Sequence, residues 1–520
     1  MADGLRFHNC WAPVEPHIHD RSPRVNLAEN LDRTARSRGR FAALTLGDEV
    51  TSFREVDHAS RRVAGFLAEN GLQVGDRVGL MLPDVPEFAA FYYGILRLGA
   101  VVVPMSALLS ERGVRHRLVD SGAQALVASA TNRASVGPLA RSLGVVAWWL
   151  EPGGLPDLLG DAPPRDLVET MGPDDTAVIV YTAGITGEPR GAALTHDNLL
   201  RNCEVVVNDL LQLTSEDVVL AGLTLSHPFG QTAALNAAVR AGACLVLLAR
   251  SDAETARGTL RDRGVTVLEA EPAMYAEMLR GARHTDMDLP RLRVCVSGSA
   301  AMPVEVLLAF EEAFHCVVLE GYGLAETSPV TTFNRMDRRR VGSIGIPVTG
   351  VELRVLDDAG SQVEDGEPGE IAVRGHNVMS EYWGRPDETA ATIVDGWLRT
   401  GDVGVKDEDG FFYVVDRVKD LIARGGRRVF PREVEEVLLE HRAVVEAAVV
   451  GVAHPELGEE VHAIVTVRPG ATATPSELRD FVKARVADHK YPREVDIVET
   501  IPRSPTGEIL KRAIRLETRA

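Results

Sequence analysis

From about residue 76 the chain repeats one texture, a short continuous apolar run followed by a polar or amphipathic stretch. "RVGLML" (77–82) predicts a strand, "PEFAAFYYGILRLG" (86–99) a helix opened by proline, and "AVVVPM" (100–105) the next strand. "ALVAS", "VVAWWL", "AVIVYT", "CLVLLA", "VTVLEA", "RVCVSG" and "CVVLEGYG" continue the series as short runs rich in β-branched residues, separated by polar or helical sequence. Runs that are apolar at every position suit strands covered on both faces, so the expected class is α/β with layered sheets. No repeat of solenoid period interrupts them.

The texture changes after about residue 340. "GVELRVLDDAG", "GEIAVRG" and "GFFYVVDR" predict strands of a smaller β-rich unit with turn residues between them. Beyond Arg417 comes a compact α+β tail. "PREVEEVLLEH" predicts a helix, "VVEAAVVGV" and "VHAIVTVRP" strands, and "TPSELRDFVKARVADHK" a helix with Pro475 at its first position. Thr474 and Glu477 have the spacing of a capping box at its start. The boundary between the two parts is expected at residues 416 to 419.

Length and charge narrow the field. At 520 residues the chain is too long for one ordinary core, and 45% hydrophobic with 25% charged residues is usual for a globular protein. A formal net charge of −19 argues against a nucleic-acid partner and against an anionic membrane surface. No apolar stretch is long enough to span a bilayer, and the N-terminus lacks the apolar segment of a signal peptide. The five cysteines (Cys10, Cys203, Cys244, Cys295, Cys316) are widely spaced with no C-x-x-C pair, so the reducing cytoplasm is the expected compartment. His8, Cys10, His17 and His19 fit no usual metal-ligand spacing and are taken as part of an irregular arm. Homo-oligomerisation is left open.

The first chemical signal is "YTAGITGEPRGA" (181–192), directly after the strand "AVIV". Three glycines, two threonines and Arg190 in twelve residues make a loop whose N–H groups and hydroxyls can wrap phosphate oxygens. It is not a Walker A loop, because the G-K-[ST] ending is absent. By itself such a loop is also an ordinary turn. Downstream follow "SHPFG" (226–230), "SGSA" (297–300), "EGYGLAET" (320–327), "GSIGIPVTG" (342–350), "GWLRTGD" (396–402), "DRVKDLIARGG" (416–426) and "PTGEILKR" (505–512).

This ordered set resembles the acyl-CoA synthetase and adenylation-domain superfamily, the AMP-forming enzymes, from about residue 25 to the end, and looks most like the fatty-acyl-CoA ligase branch. The resemblance implies a large N-terminal domain (1–416) of two αβ-layered sheets plus a β-rich subdomain, and a small mobile α+β lid (417–520). It implies an enzyme that joins a carboxylic acid to AMP from ATP with Mg²⁺, then passes the acyl group to a thiol, with CoA as the co-substrate. Thr182, Gly184, Thr186, Gly187 and Arg190 match the loop that holds the outer phosphates, and Glu326 matches the Mg²⁺ ligand. Tyr322 matches the ring on the adenine, with Ser299, Ala300 and Gly323 beside the base. Asp402 matches the acceptor of both ribose hydroxyls and Arg417 its partner. His227 and Phe229, with Gly298 and Gly321, fall at the acyl-pocket wall, although a histidine in that apolar setting is equally a core residue. Lys419 takes the hinge position, and Gly425 and Gly426 match the segment that approaches the thiol cofactor.

One residue departs sharply. The family motif P-x-[ST]-x-[ST]-G-K ends in a lysine that touches the attacking carboxylate and the α-phosphate, and here that position is Glu508. Lys511 matches a different family position. At ~4 Å and an effective dielectric of about 20 one charge pair is worth roughly 4 kcal/mol, so the sign reversal approaches ~8 kcal/mol if Glu508 stays at the reacting centre. A loop that turns the side chain to water removes the repulsion but does not restore the missing cation. Ala183, Ile185, Arg190 and Ala325 replace the family's usual serine, threonine, lysine and hydroxyl residue, and Arg427-Arg428 stand where Tyr-Asn is common. The adenosine positions are kept; those around the reacting acid are altered. Three readings follow: an acyl-CoA synthetase with a slowed first step, a nitrite-adenylating diazotase like the branch that makes aryl diazonium groups in aromatic natural-product pathways, or a nucleotide-binding protein that has lost turnover. In the second, Arg427 or Arg428 would hold the small anion.

Overall fold

The computed structural model describes residues 25–182, 188–248, 250, 252–281, 289–468, 470–503, 509–511 and 513–514. Two large sheets carry the first part of the chain. The seven-stranded sheet runs Glu381–Tyr382, Arg190–Thr195, Thr176–Thr182, Val101–Pro104, Arg77–Met81, Ala125–Ser129, Val146–Leu150, and its last five strands are parallel. The nine-stranded sheet runs Ile346–Pro347, Val330–Phe333, Val318–Gly323, Val294–Ser297, Val267–Ala270, Val218–Ala221, Cys244–Leu247, Ala42–Leu46, Glu49–Ser52, parallel from Val318–Gly323 through Ala42–Leu46. The central strands are buried, with Val101–Pro104, Val267–Ala270 and Val294–Ser297 buried at every position, whereas the edge strands Glu49–Ser52 and Val146–Leu150 are partly exposed. That burial is why the central strands appear as unbroken apolar runs instead of alternating ones.

The helix Pro86–Arg97 shows how the layers are held. Every residue from Phe88 to Arg97 is buried, so this helix is apolar all round and lies within the core. Its last residue breaks the pattern. Arg97 is fully buried, and its Nη2 lies 2.6 Å from Asp57 Oδ1 while Nη1 donates to the Asp166 carbonyl at 3.0 Å. Asp57 comes from the neighbouring helix Phe53–Glu69 and is also bound by Arg61 Nε at 2.8 Å. Burial wins on both partners, pushing the Asp57 carboxyl up against Arg97 and Arg61 and the Arg97 guanidinium down. Such a pair adds little net stability, yet removing one member strands the other charge.

A third, antiparallel sheet of Val351–Leu356, Gly369–Gly375, Trp397–Lys406, Ile393–Val394 and Phe412–Arg417 forms the β-rich unit. The fourth, Arg427–Val429, Ile422–Arg424, Gly458–Val467, Val444–His454 and Glu494–Ile497, belongs to the smaller C-terminal domain. It closes its own core around Ile422, Val434, Leu438, Val449, Val461 and Val465, separate from the core shared by the larger sheets. The mixed α/β architecture with a large and a small part is the expected one. No helix among the described residues is long and apolar enough to cross a membrane.

One local expectation is only half met. The helix Pro475–Lys483 begins with Thr474 accepting from Glu477 N at 3.2 Å, but the reciprocal bond of a capping box is missing. The Glu477 carboxylate faces His441 Nε2 at 3.6 Å instead, so a tertiary partner has taken the side chain that would have turned back to Thr474. The helix also stops at Lys483, short of the run to residue 490 that the sequence suggested.

Replacing Asp57 by alanine is expected to destabilise the large domain by ~3 kcal/mol, read as a lower denaturant midpoint, because it removes the nearer of the two carboxylates facing buried Arg97 and leaves only Asp32, at 3.7 Å. An Asp57→Leu, Arg97→Met double variant should recover most of that loss.

Candidate active site

Three strands meet at one buried carboxylate. Tyr322 lies near the end of Val318–Gly323, Asp402 lies within Trp397–Lys406, and Arg417, which ends Phe412–Arg417, is its cross-strand register partner. The Tyr322 hydroxyl donates to Asp402 Oδ2 at 2.7 Å, and Arg417 Nε lies 3.4 Å from Oδ1. Asp402 is only 5% exposed. Its burial pushes the carboxyl above the usual range, against the pull of Arg417, Tyr322 and Lys419. The Tyr322 phenol is held well above its ordinary value, first by burial and then by the neighbouring carboxylate. Each Asp402 oxygen keeps acceptor capacity beyond its present partner, which suits a pair of vicinal hydroxyls.

A second group flanks the glycine-rich loop. Thr182 and Arg190 are register partners across the hairpin of Thr176–Thr182 and Arg190–Thr195. Thr182 Oγ1 and Arg190 Nε are buried donors without a partner among the described residues. Buried donors left unsatisfied call for an explanation, and an anion held between them supplies one. Arg190 is fixed from its other side. Its guanidinium carbon lies 4.0 Å from the centre of the Tyr382 ring, and Nη1 is 3.3 Å from Glu388 Oε2. Tyr382 in turn donates to Glu326 Oε1 at 2.8 Å, joining Arg190, Tyr382 and Glu326 in one chain of contacts. The Arg385 guanidinium holds the Glu388 carboxyl below its usual range, with help from Arg190, and Arg385 is anchored to Asp120 at 2.9 Å. Tyr382, Arg385 and Glu388 carry no motif in the sequence; their part in the site comes from contact with Arg190.

Glu326 sits in the short turn Ala325–Thr327 as a single half-buried carboxylate. The described residues contain no group of three or more His, Cys, Asp or Glu that could hold a metal. One carboxylate does not make an all-protein cage, but it fits a Mg²⁺ ion that keeps its waters and takes its remaining ligands from phosphates.

The residues expected at the acyl wall are packed together. A Cβ on Gly298 would lie 2.7 Å from the Phe229 ring, and one on Gly321 would lie 2.5 Å from the Phe333 ring. Both glycines therefore serve as faces on which aromatic rings rest. His227 is half-buried, accepts at Nδ1 from Phe229 N at 3.3 Å, and is pushed down to about 4 by desolvation. At neutral pH it is an uncharged ring. Ser299, with φ +70°, and Ala300 are exposed where the strand Val294–Ser297 ends. Gly323 is exposed yet tight, since a Cβ there would meet the Pro329 carbonyl at 1.7 Å.

Lys419 is exposed in the turn Val418–Asp420, between the third and fourth sheets. Gly425 and Gly426 form the tip of the hairpin Ile422–Arg424 and Arg427–Val429, with φ of +56° and +76°. A two-residue turn with positive φ at both positions explains these glycines by turn geometry alone. Arg428 forms an exposed ion pair with Asp358 of the β-rich unit, and Arg427, the other candidate for gripping a small anion, is exposed beside it. Lys511 is also engaged, 2.7 Å from Glu435 Oε1 with both side chains under one-fifth exposed. Glu435 further accepts from Val449 N at 2.7 Å, which makes Lys511 part of the small domain's framework. Gly184, Thr186, Gly187, Glu508, Ala183 and Ile185 lie outside the described residues, as do His8, Cys10, His17 and His19.

With this geometry in hand, comparison with known proteins is direct. The profile described as "AMP-binding enzyme" matches residues 31–383, and "AMP-binding enzyme C-terminal domain" matches 433–508. A long-chain-fatty-acid–CoA ligase of Bacillus subtilis (strain 168) is 34% identical over 93% of this chain and 92% of its own. The ATP-bound MatB from Rhodopseudomonas palustris matches with a TM-score of 0.88 at 31% identity, covering 95% of this chain and 99% of that one. The anthranilate CoA ligase AuaEII, in complex with anthranoyl-AMP, matches with a TM-score of 0.87 at 28% identity, over 96% and 98% of the two chains.

His227 supplies a pH-dependent outcome. Its folded value of about 4 lies below the ordinary 6.5, so the neutral ring's stabilising share is whole above pH 6.5 and is lost as pH falls towards 4. His227→Phe should therefore lose less thermal stability than the parent between pH 7 and pH 4.5. An equal loss in both would show that the ring is freely hydrated.

Proposed function

The chain belongs to the AMP-binding enzyme family, and from that premise we propose that it is an ATP-dependent acid–CoA ligase working in two half-reactions. In the first, a carboxylate oxygen attacks the α-phosphorus of ATP and pyrophosphate leaves. In the second, the thiol of CoA attacks the acyl carbonyl and AMP leaves. The observation that carries this reading is the pairing of an acceptor site, Asp402 with Tyr322 and Arg417, with a donor site, Thr182 Oγ1 and Arg190 Nε beside the glycine-rich loop. Ribose needs the first and phosphate the second.

Each residue then has a task its chemistry suits. Asp402 accepts the ribose hydroxyls, while Tyr322, Ser299, Ala300 and Gly323 border the base. Thr182 and Arg190, with Gly184, Thr186 and Gly187, hold the outer phosphates. A Mg²⁺ ion bound through Glu326 would neutralise phosphate charge. His227, Phe229, Gly298 and Gly321 line the acid's path, and neutral His227 adds no charge there. Residues 417–520 close over the cleft by turning at Lys419, bringing the Gly425-Gly426 hairpin towards CoA in the second pose. Related ligases take fatty acids and anthranilate, so acid activation is the shared chemistry and the acid itself is the variable.

Glu508 favours a second reading. With no lysine beside the attacking oxygen, a small anion such as nitrite has less need of the clamp than an acyl carboxylate, and its adenylate would pass nitrosyl to an aryl amine. Arg427 is an exposed cation for it.

Two measurements separate these readings. Pyrophosphate release is expected with ATP, CoA and at least one acid from a fatty and aryl panel; release only with nitrite and an aminophenyl acid transfers the conclusion to the second reading, and none under any condition marks a protein without turnover. Glu508→Lys should raise acid-dependent release at least tenfold, roughly the effect of restoring 1.4 kcal/mol at the barrier. Asp402→Ala should abolish the calorimetric heat of MgATP binding.

A further inference from the structure

One buried acid is used by nothing described so far. Glu269 lies in the strand Val267–Ala270, is 0% exposed, and both its carboxyl oxygens lack a hydrogen-bond partner among the described residues. Tyr275 does not serve it, because that hydroxyl donates to the Val296 carbonyl at 2.7 Å. We propose that Glu269 is a specificity-determining residue that selects an acid carrying an amine at the end remote from its carboxylate. The inference rests on the acid-activation reading above and names its substrate class.

The sheet register places this residue. Ala221, Glu269, Val296 and Leu319 form one row across four parallel strands, so their side chains share a face. Two residues further along, on that same face, come Gly298 and Gly321, the glycines covered by the Phe229 and Phe333 rings. Glu269 thus lies one step below the Phe229 wall, near the C-terminal ends of the strands, where open parallel sheets bind their ligands. Its row-mates Ala221, Val296 and Leu319 belong to the same apolar cluster as Phe229, Leu223 and Leu235.

A carboxyl among such neighbours is costly, and no hydrogen bond among the described residues offsets the cost. Desolvation alone pushes it up to about 8, so without a partner it is protonated at neutral pH. The segment directly after Phe229 carries two further buried polar atoms, of different chemistry. Gln231 Nε2 and Thr232 Oγ1, in Gly230–Asn236, are buried and equally without partners. A wall made for a plain alkyl chain has no use for a buried carboxyl without a partner. An amine gives the acid the donor it lacks, and a substrate without one leaves the carboxyl desolvated and unpaired, which is how such sites reject analogues.

The test uses matched acids of equal size: 4-aminobenzoate against 4-methylbenzoate, and 6-aminohexanoate against heptanoate. The parent is expected to favour the amine of at least one pair by about tenfold or more in kcat/KM for pyrophosphate release. Glu269→Leu should invert that preference while raising the melting temperature, since it removes an unpaired acid; Glu269→Gln should keep part of the preference. A ratio that Glu269→Leu does not change, a parent that favours the methyl compounds, or a Leu variant less stable than the parent each overturns the inference. If the parent releases no pyrophosphate with any acid while still binding MgATP, the acid-activation reading fails separately. Calorimetric binding of the same acids to AMP-loaded protein then decides the role of Glu269, with equal affinity within both pairs overturning it.

Discussion

The buried carboxylate of Asp402 constrains the rest of the site. An ionised acid taken out of water must be met by donors, and here they come from separate elements: Tyr322 at the end of a parallel strand of the nine-stranded sheet, and Arg417 on the antiparallel neighbour that leads to the small domain. Satisfying one side chain therefore ties the large sheet to the β-rich unit at the strand that leads into the small domain. Arg432, in the first helix of the small domain, reinforces the same junction, its N–H donating to Asp416 at 2.9 Å and its guanidinium to the Val414 carbonyl at 3.2 Å.

Charge at the opposite end is arranged differently. Arg190 is held against the Tyr382 ring and Glu388, and Tyr382 is tied to Glu326, so the cation and the carboxylate suited to a metal are positioned by one aromatic residue. In the sequence Glu508 stands where the resemblance implies a lysine, a reversal of sign. Ala325 likewise lacks the hydroxyl that the resemblance implies, so the departure from the family pattern spans several motif positions.

Stability and specificity are in tension along the nine-stranded sheet. Val267, Leu268 and Ala270 fill the core as expected of a strand, whereas Glu269 between them weakens the fold for no gain in packing. Arg97 and Asp57 are a different case, since there the buried charges at least meet each other. Unpaired polar groups in an otherwise well-packed interior tend to mark places where function has overridden stability.

The architecture was legible because its physics is local. Parallel strands buried on both faces must be apolar at every position, and prolines at 86, 431 and 475 can sit only at the first turn of the helices they open, so both signals survive without any tertiary information. Tyr322, Asp402 and Arg417 were legible as motif positions at strand ends and turns, and the fold brings these three into contact. What only the folded chain decided are partnerships across long separations. Glu388 reaches Arg190 from 198 residues away, Glu477 turns to His441 instead of capping its own helix, and Lys511 and Arg428, cations by sequence, are drawn into ion pairs with Glu435 and Asp358. Glu269 shows the difference most plainly: in sequence it is the next-to-last residue of an ordinary strand, and only the neighbouring strands, by removing water and offering no donor among the described residues, make it an acid in want of a partner.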